Sequence, residues 1–395
     1  MRRIGVLVAC LTLWAVPATA QSLFSATGLG IPQDATDARA RILGGLGIGL
    51  LGLNASLVNP ASPAGTLRKG ASAVMVSSPR TASLGNERGY ATSTRFPLVR
   101  VVLPFATRWV ATAAYGGFLD QSWAIRSDRM EAIGPDTVPV VDNIQSTGGV
   151  GQYRIGLAYA LGPRIALGIA AGGYSGQQQI ILHRQFTDTT TLTEVESFQS
   201  RLARSYYAPL ISAGVRWDPV TFARLGASVT VPGKLSVKVE QGIFEDRTVP
   251  LPVQVAGGAS AYLSPGLLLA ASARWSGWSV ANDALTTANT PAGVAAARDT
   301  WEVGGGLEYG SAARQSRAMP VRVGFRYAQL PFSFNGQVPS EWAVGGGLGL
   351  RAGPSTDPQA LIDLGVERGA RGSTANGGLQ ETFWRISLSV SLFSR

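Results

Sequence analysis

From Ala71 to the C-terminus the chain keeps a rhythm of two. Between 147 and 160, Tyr153, Ile155, Leu157 and Tyr159 share one face, while Gln152, Arg154, Gly156 and Ala158 share the other. Between 320 and 330, Val321, Val323, Phe325 and Tyr327 stand against Arg322, Gly324 and Arg326. Such alternation predicts strands with one apolar face. It gives fourteen candidate strands: 71–80, 93–105, 109–119, 147–160, 164–186, 200–217, 221–242, 248–263, 266–280, 299–310, 320–330, 341–351, 359–368 and 381–393. Pro232-Gly233 inside the seventh predicts a kink, a bulge or a split.

The connections carry a second pattern. Leu161-Gly162-Pro163, Asp218-Pro219 and Ser264-Pro265-Gly266 are tight turns set by proline and glycine. Between them fall long polar stretches near 120–146, 187–199 and 281–298. Short then long is the parity of an outer-membrane barrel; a soluble sandwich does not require it. Segments 311–319 and 352–358 are longer than that parity asks. Arginine facing lipid at mid-depth costs about 2–4 kcal/mol, so the charged face is the lumen. This places Arg154, Lys234, Lys238, Arg274, Arg322, Arg326, Arg351 and Arg385 inside with Glu302, Glu308, Asp363 and Glu367.

Upstream of the strands the rhythm is absent. A short helix over 34–43 is predicted, with Asp34 as its N-cap. Between Arg41 and Asn54 lie twelve uncharged residues, five of them glycine. That run is too short for a membrane-spanning helix, which needs about 20 residues, and glycine disfavours helix by roughly 1 kcal/mol each. The stretch 41–65 therefore reads as a plug folded back into the barrel, the alternative being an anchor helix. The expected fold is all-β: a transmembrane antiparallel barrel of about 14 strands with an N-terminal plug in its lumen.

The first residues read as a secretory signal. Arg2 and Arg3 precede an apolar run from Ile4 to Val16, and Ala18-Thr19-Ala20 is a cleavage site. A rival lipoprotein-like site at Leu7-Val8-Ala9-Cys10 would leave too short an apolar run. The domain reading is 1–20 signal peptide, 21–70 plug and 71–395 barrel. Cys10 is the single cysteine and His183 the single histidine, which excludes a disulfide framework and a two-histidine metal site in the mature chain. With no G-x-S-x-G elbow either, no enzyme, metal or cofactor is expected. The net charge of +10 falls to +8 without Arg2 and Arg3, and the basic residues form no patch suited to nucleic acid.

Trp384, Ile386, Leu388 and Val390 precede Phe393 at odd spacing, similar to the terminal recognition strand that barrel-assembly machinery reads in bacterial outer-membrane proteins. Ser25 to Gly30 (SATGLG), Asn59-Pro60-Ala61, the run after Pro252 ending in Trp275 and Trp278, and Pro320 to Leu330 (PVRVGFRYAQL) complete the pattern. Together they resemble the FadL-type fatty-acid and aromatic-hydrocarbon channels of the outer membrane. The resemblance implies a hatch blocking the lumen, apolar ligands caught by outer loops, and lateral exit through a kinked third strand. The matching strand, 109–119, contains Gly116-Gly117 as the expected gate. Stretch 38–53 is richer in glycine than that hatch and leans towards the related PorV-like barrels, which act as protein partners.

Asn59-Pro60-Ala61 would anchor the plug, or form a plain turn into the first strand. Arg154, Arg322 and Arg326, with Lys234, Lys238 and Arg351, are candidate lumenal contacts for a ligand carboxylate; the bland alternative is pairing with acidic residues across the lumen. Gly116 and Gly117 mark a bend, though glycine pairs recur elsewhere. Trp109, Trp217, Trp275, Trp301, Trp342 and Trp384 read as interface girdles. The leading function is passive uptake of hydrophobic small molecules with release into the outer-membrane lipid. The alternatives are a PorV-like interaction or secretion partner, and a general diffusion porin.

Overall fold

The computed structural model describes residues 22–133, 136–186, 197–242, 244–286, 294–310, 319–334, 336–353, 359–375 and 378–394. The expected signal peptide, 1–20, lies outside the described residues.

The chain forms a closed antiparallel barrel of fourteen strands. In order they are β1 Lys69–Leu84, β2 Glu87–Ala106, β3 Trp109–Asp120 continued by Trp123–Ile133, β4 Asp136–Ala160, β5 Ile165–Phe186 and β6 Phe198–Val220. Then follow β7 Ala223–Pro232 continued by Leu235–Gln241, β8 Arg247–Val249 continued by Gln254–Ser264, β9 Leu267–Ser276, β10 Thr300–Tyr309, β11 Val321–Gln329, β12 Ser340–Ala352, β13 Ala360–Gly372 and β14 Leu379–Ser394. Closure comes from β14 pairing with β1, Leu379 opposite Leu84 and Ser394 opposite Lys69. An even strand count puts both barrel termini at one end, the periplasmic end of an outer-membrane barrel.

The alternation sorts the faces as expected. Ile155, Val321, Val323 and Phe325 point outward, while Arg154, Arg322 and Arg326 are buried in the interior. On the outer face Trp301, Trp342 and Trp384 sit towards one end of their strands, and Trp109 and Trp217 at the other. From Trp301 to Tyr309 is eight residue steps, roughly 27 Å of strand, or about 21 Å of depth after tilt. That matches the apolar band of such barrels.

Three expectations are corrected. Stretch 120–146 is not a loop: Trp123–Ile133 pairs with β4 from Ser146 to Asp136, a hairpin that rises beyond the membrane band. A strand outside lipid needs no apolar face, so the alternation that reveals strands elsewhere is missing; exposed pairs such as Arg126–Asp128 line it instead. The ninth strand stops at Ser276, and Trp278–Ala281 and Asn282–Leu285 turn helical. In the plug, helix α1 is Ala38–Ile42, and its cap is Asp37, whose side chain accepts from Ala40 N at 2.7 Å. Asp34, the expected cap, is drawn away to two arginines of the wall.

The plug fills the lumen from residue 22 to the start of β1. Its two-residue strand Ile31–Pro32 pairs with Leu119 and Asp120 of β3. Its glycine run meets glycines of the wall. A Cβ on Gly324 would overlap the carbonyl oxygen of Ile42, and one on Gly304 would overlap the backbone of Gly44. Gly44 and Gly49 lie backbone on backbone against Gly304 and Gly258 of the wall, an approach any side chain would prevent, and all five glycines of 42–53 take positive φ, which disfavours other residues there.

Candidate functional site

The plug is tied to the wall by buried ion pairs. Arg39 of α1 forks onto Glu308 of β10, with Nε and Nη2 each 2.8 Å from a carboxylate oxygen. Glu308 also takes Arg322 of β11 at 2.5 Å, and Arg322 reaches Asp363 of β13 at 2.6 Å. Asp34 lies 2.5 Å from Arg274 of β9 and 2.7 Å from Arg326 of β11. Around Arg326 stand Glu302 at 3.3 Å and Glu341, which also binds Arg371 and Arg385. Two parallel bonds to a guanidinium give both energy and fixed geometry. Burial pushes the Asp34 carboxyl up, and the Arg274, Arg326 and Arg41 guanidiniums outweigh it, holding it below the usual carboxylate range.

Arg154 does something else. Its Nη1 donates to Leu57 O of the plug at 2.9 Å, and Nε and Nη2 both donate to Gln152 Oε1. Asn59 holds the plug further down: its Nδ2 donates to Val215 O at 2.9 Å and its Oδ1 accepts from Ala61 N at 2.9 Å. Pro60 and Ala61 lie on Gly168, and Asn59 on Gly214, with no room for a Cβ on either glycine.

Not every predicted lumenal cation is inside. Leu235 and Val237 are buried, so Lys238, of the opposite parity and exposed, belongs to the outer face; Lys234 is exposed in the break between the two parts of β7. The break shifts the alternation, so extrapolating the parity of 221–232 across Pro232-Gly233 reversed the faces. Arg351 keeps inward parity but lies exposed at the strand end.

Above the ion pairs the lumen is apolar and aromatic. Phe118 of β3 packs on Tyr174 of β5, ring centres 4.1 Å apart, and stacks with Trp278 at 6.2 Å; Trp278 meets Phe332 edge-on at 5.2 Å. Leu29 of the plug, Leu210, Leu235, Val237 and Leu251 complete the cluster. One polar edge borders it. Gln121 Nε2 donates to Tyr206 Oη at 3.2 Å, Tyr206 Oη to Gln178 Oε1 at 2.8 Å, and Gln178 Nε2 to Ser146 Oγ at 3.0 Å. An apolar body with a few fixed polar groups is the usual make-up of a small-molecule site. Sequence reading missed Phe118, Tyr174 and Phe332, because one aromatic on an inward face does not reveal its partners.

The wall is incomplete beside this cluster. β3 pairs with β2 only below Leu98, which faces Gly116. A bulge between Gly117 and Leu119 displaces Phe118 from the ladder with β4, and Gln121 and Ser122 interrupt the strand. Among the described residues, no strand ladder runs along the β3 side of β2 above Leu98. Arg95 of that part of β2 is ion-paired to Asp120, which also accepts from Ser25 Oγ of the plug at 3.2 Å. A lumenal cavity of about 120 Å³ is lined by Ser93, Arg95 and Pro97 of the same part and by Trp278.

The model of a family named BamG matches residues 220–395. No curated protein matches the sequence. Among solved structures, the chain is similar to the toluene transporter TbuX of Ralstonia pickettii, with 16% identity over 92% of this chain and 99% of that one and a TM-score of 0.58. A FadL homologue of Pseudomonas aeruginosa gives 15% identity, 92% and 99% coverage and a TM-score of 0.60. The toluene transporter TodX of P. putida gives 13%, 93%, 99% and 0.58. The likeness is one of fold: a plugged outer-membrane barrel of the FadL type.

Proposed function

We propose that this barrel lets hydrophobic small molecules, monoaromatic hydrocarbons in particular, cross the outer membrane passively and leave sideways into the lipid. The observation that carries the reading is the interrupted β3. Among the described residues it leaves no strand laddered to the β3 side of the upper part of β2, beside an aromatic lumenal cluster, and Phe118 of the bulge belongs to that cluster. Apolar surface moving from water into such a cluster gains about 25 cal/mol per Å². The protein does no chemistry. The plug, held by buried ion pairs, speaks against free axial diffusion, and the toluene transporters of the same fold support the ligand class.

The predicted gate residues fit this route. Gly117 is the last residue paired before the bulge, and Cβ atoms on Gly116 and Gly117 would meet Ala35 and Gln33 of the plug. Arg154, expected with Arg322 and Arg326 as a ligand contact, donates to Leu57 O of the plug and to Gln152, while Arg322 and Arg326 pair with carboxylates, Asp34 of the plug among them; the role of all three in this reading is to hold the hatch. Lipid receives the ligand, and the closing strand serves the assembly machinery.

Uptake of labelled toluene by cells expressing the protein tests the reading. Deleting Phe118, which removes the bulge, should cut uptake severalfold while the barrel still shows heat-modifiable migration on gels. Unchanged uptake in that variant, or free passage of small sugars through the intact protein in liposomes, would sink the proposal.

A further inference from the structure

At the periplasmic end, plug and wall line a separate pocket of about 270 Å³ that opens to solvent beside the exposed Leu53. One side is plug, including Leu53 and Asn54; the other is Arg100 and Val102 of β2, Leu361 of β13 and Phe393 of β14. An engineered apolar cavity of about 150 Å³ takes up benzene, so the space suits a molecule of that size or somewhat larger.

Arg100 sets its chemistry. The side chain is 4% exposed, and its one hydrogen bond is from Nη1 to Asn54 O at 3.4 Å. Among the described residues no carboxylate lies within 4.0 Å of it. The other charges around the cavity are already matched. Arg224 clasps Asp218 at 2.7 and 3.0 Å, Arg216 binds Ala64 O and lies 3.5 Å from Asp218, and Asp363 holds Arg322. Asp37 is engaged by the amides of Ala40 and Ala55. Among the described residues Arg100 is thus the lining cation with no carboxylate in ion-pair contact, Asp37 acting on it only from a distance, and a buried charge without a contacting partner is costly.

We propose that this cavity binds a small monoanionic carboxylate, its charged end on the Arg100 guanidinium and its apolar body against Leu53, Val102, Leu361 and Phe393. A guanidinium receives a carboxylate in two parallel bonds. A single negative charge suits the site, because Asp37 and Asp363 line it too and repel a dianion. An occupant touches plug and wall together, so binding holds the plug in its docked position. The site is separate from the aromatic cluster and stands whether or not hydrocarbons pass there.

Calorimetry on the purified full-length protein with benzoate and benzyl alcohol tests this, since the two share a ring and differ in charge. Benzoate should bind at least about tenfold more tightly and slow protease cleavage of the plug; Arg100→Gln should bring benzoate to the level of the alcohol, and Arg100→Lys should restore part of the difference. Equal binding of benzoate and benzyl alcohol to the unaltered protein overturns the proposal, and that comparison needs no variant to fold. A benzoate preference that survives Arg100→Gln overturns the assignment to this cavity. Binding of inorganic phosphate in place of benzoate overturns the carboxylate.

Discussion

Arg326 Nη1 lies 2.7 Å from Asp34 Oδ2, joining a wall strand to a plug residue 292 positions earlier in the chain. The other oxygen of Asp34 faces Arg274 at 2.5 Å. Asp34→Ala leaves two buried guanidiniums each short of a partner. Breaking a buried pair costs about 3–5 kcal/mol, and since Glu302 and Glu341 remain beside Arg326, the lower end is expected. Single-channel recordings should show new openings, with faster protease cleavage of the plug. A variant as silent and as protected as the parent would contradict the anchoring role.

Gly324 supports the plug by lacking a side chain. Gly324→Val puts a Cβ into the Ile42 carbonyl, and overpacking of this kind costs about 1–3 kcal/mol. The barrel ladder is otherwise intact, so the plug should loosen before the barrel unfolds in urea. Simultaneous loss of both would show that plug and wall are one cooperative unit.

Asp37 makes plug docking depend on pH. Burial, with Asp363 nearby, pushes its carboxyl from 3.8 up to about 6, against the pull of the Ala40 and Ala55 amides and of Arg39. A raised value means that the docked plug binds the proton more tightly than the released one. Docking is therefore firmest in acid and weakens as pH rises through the window from about 4 to 6, by up to about 3 kcal/mol. Plug cleavage should be faster at pH 7.5 than at pH 4.5, and Asp37→Asn should flatten the profile. A profile of the opposite slope would exclude Asp37 as its source.

Asp120 joins the upper part of β2 to the plug through Arg95 and Ser25. Asp120→Asn keeps the shape and removes the charge, so the two should part more readily and toluene uptake should rise. Uptake that stays at the parental rate would show that this pair does not limit passage.

Trp278 is buried against Phe118 and Phe332. Trp278→Ala should cost about 3–5 kcal/mol in thermal stability of the outer half. It should also change the ranking of toluene against longer alkanes in uptake competition. A ranking identical to the parent's would place ligand selection elsewhere.

The wall was legible in the sequence because a barrel in lipid must alternate: every strand segment at membrane depth shows lipid one face and the lumen the other, and Tyr153, Ile155, Leu157 against Gln152 and Arg154 state that directly. The hairpin 123–146 was illegible, since above the membrane no such constraint applies. The face of Lys238 was misread because the break at Gly233-Lys234 resets the phase.

The sequence by itself determined strand number, lumenal side and a glycine-rich plug, all consequences of local period and of the cost of charge in hydrocarbon. Only the tertiary structure decided which charges meet. That Asp34 binds Arg274 and Arg326 instead of capping a helix, that Phe118 leaves the ladder to join Trp278, and that Arg100 is left without a contacting carboxylate among the described residues all depend on chain segments far apart in sequence. Closing the barrel brings them within a few ångströms, and no local pattern encodes that.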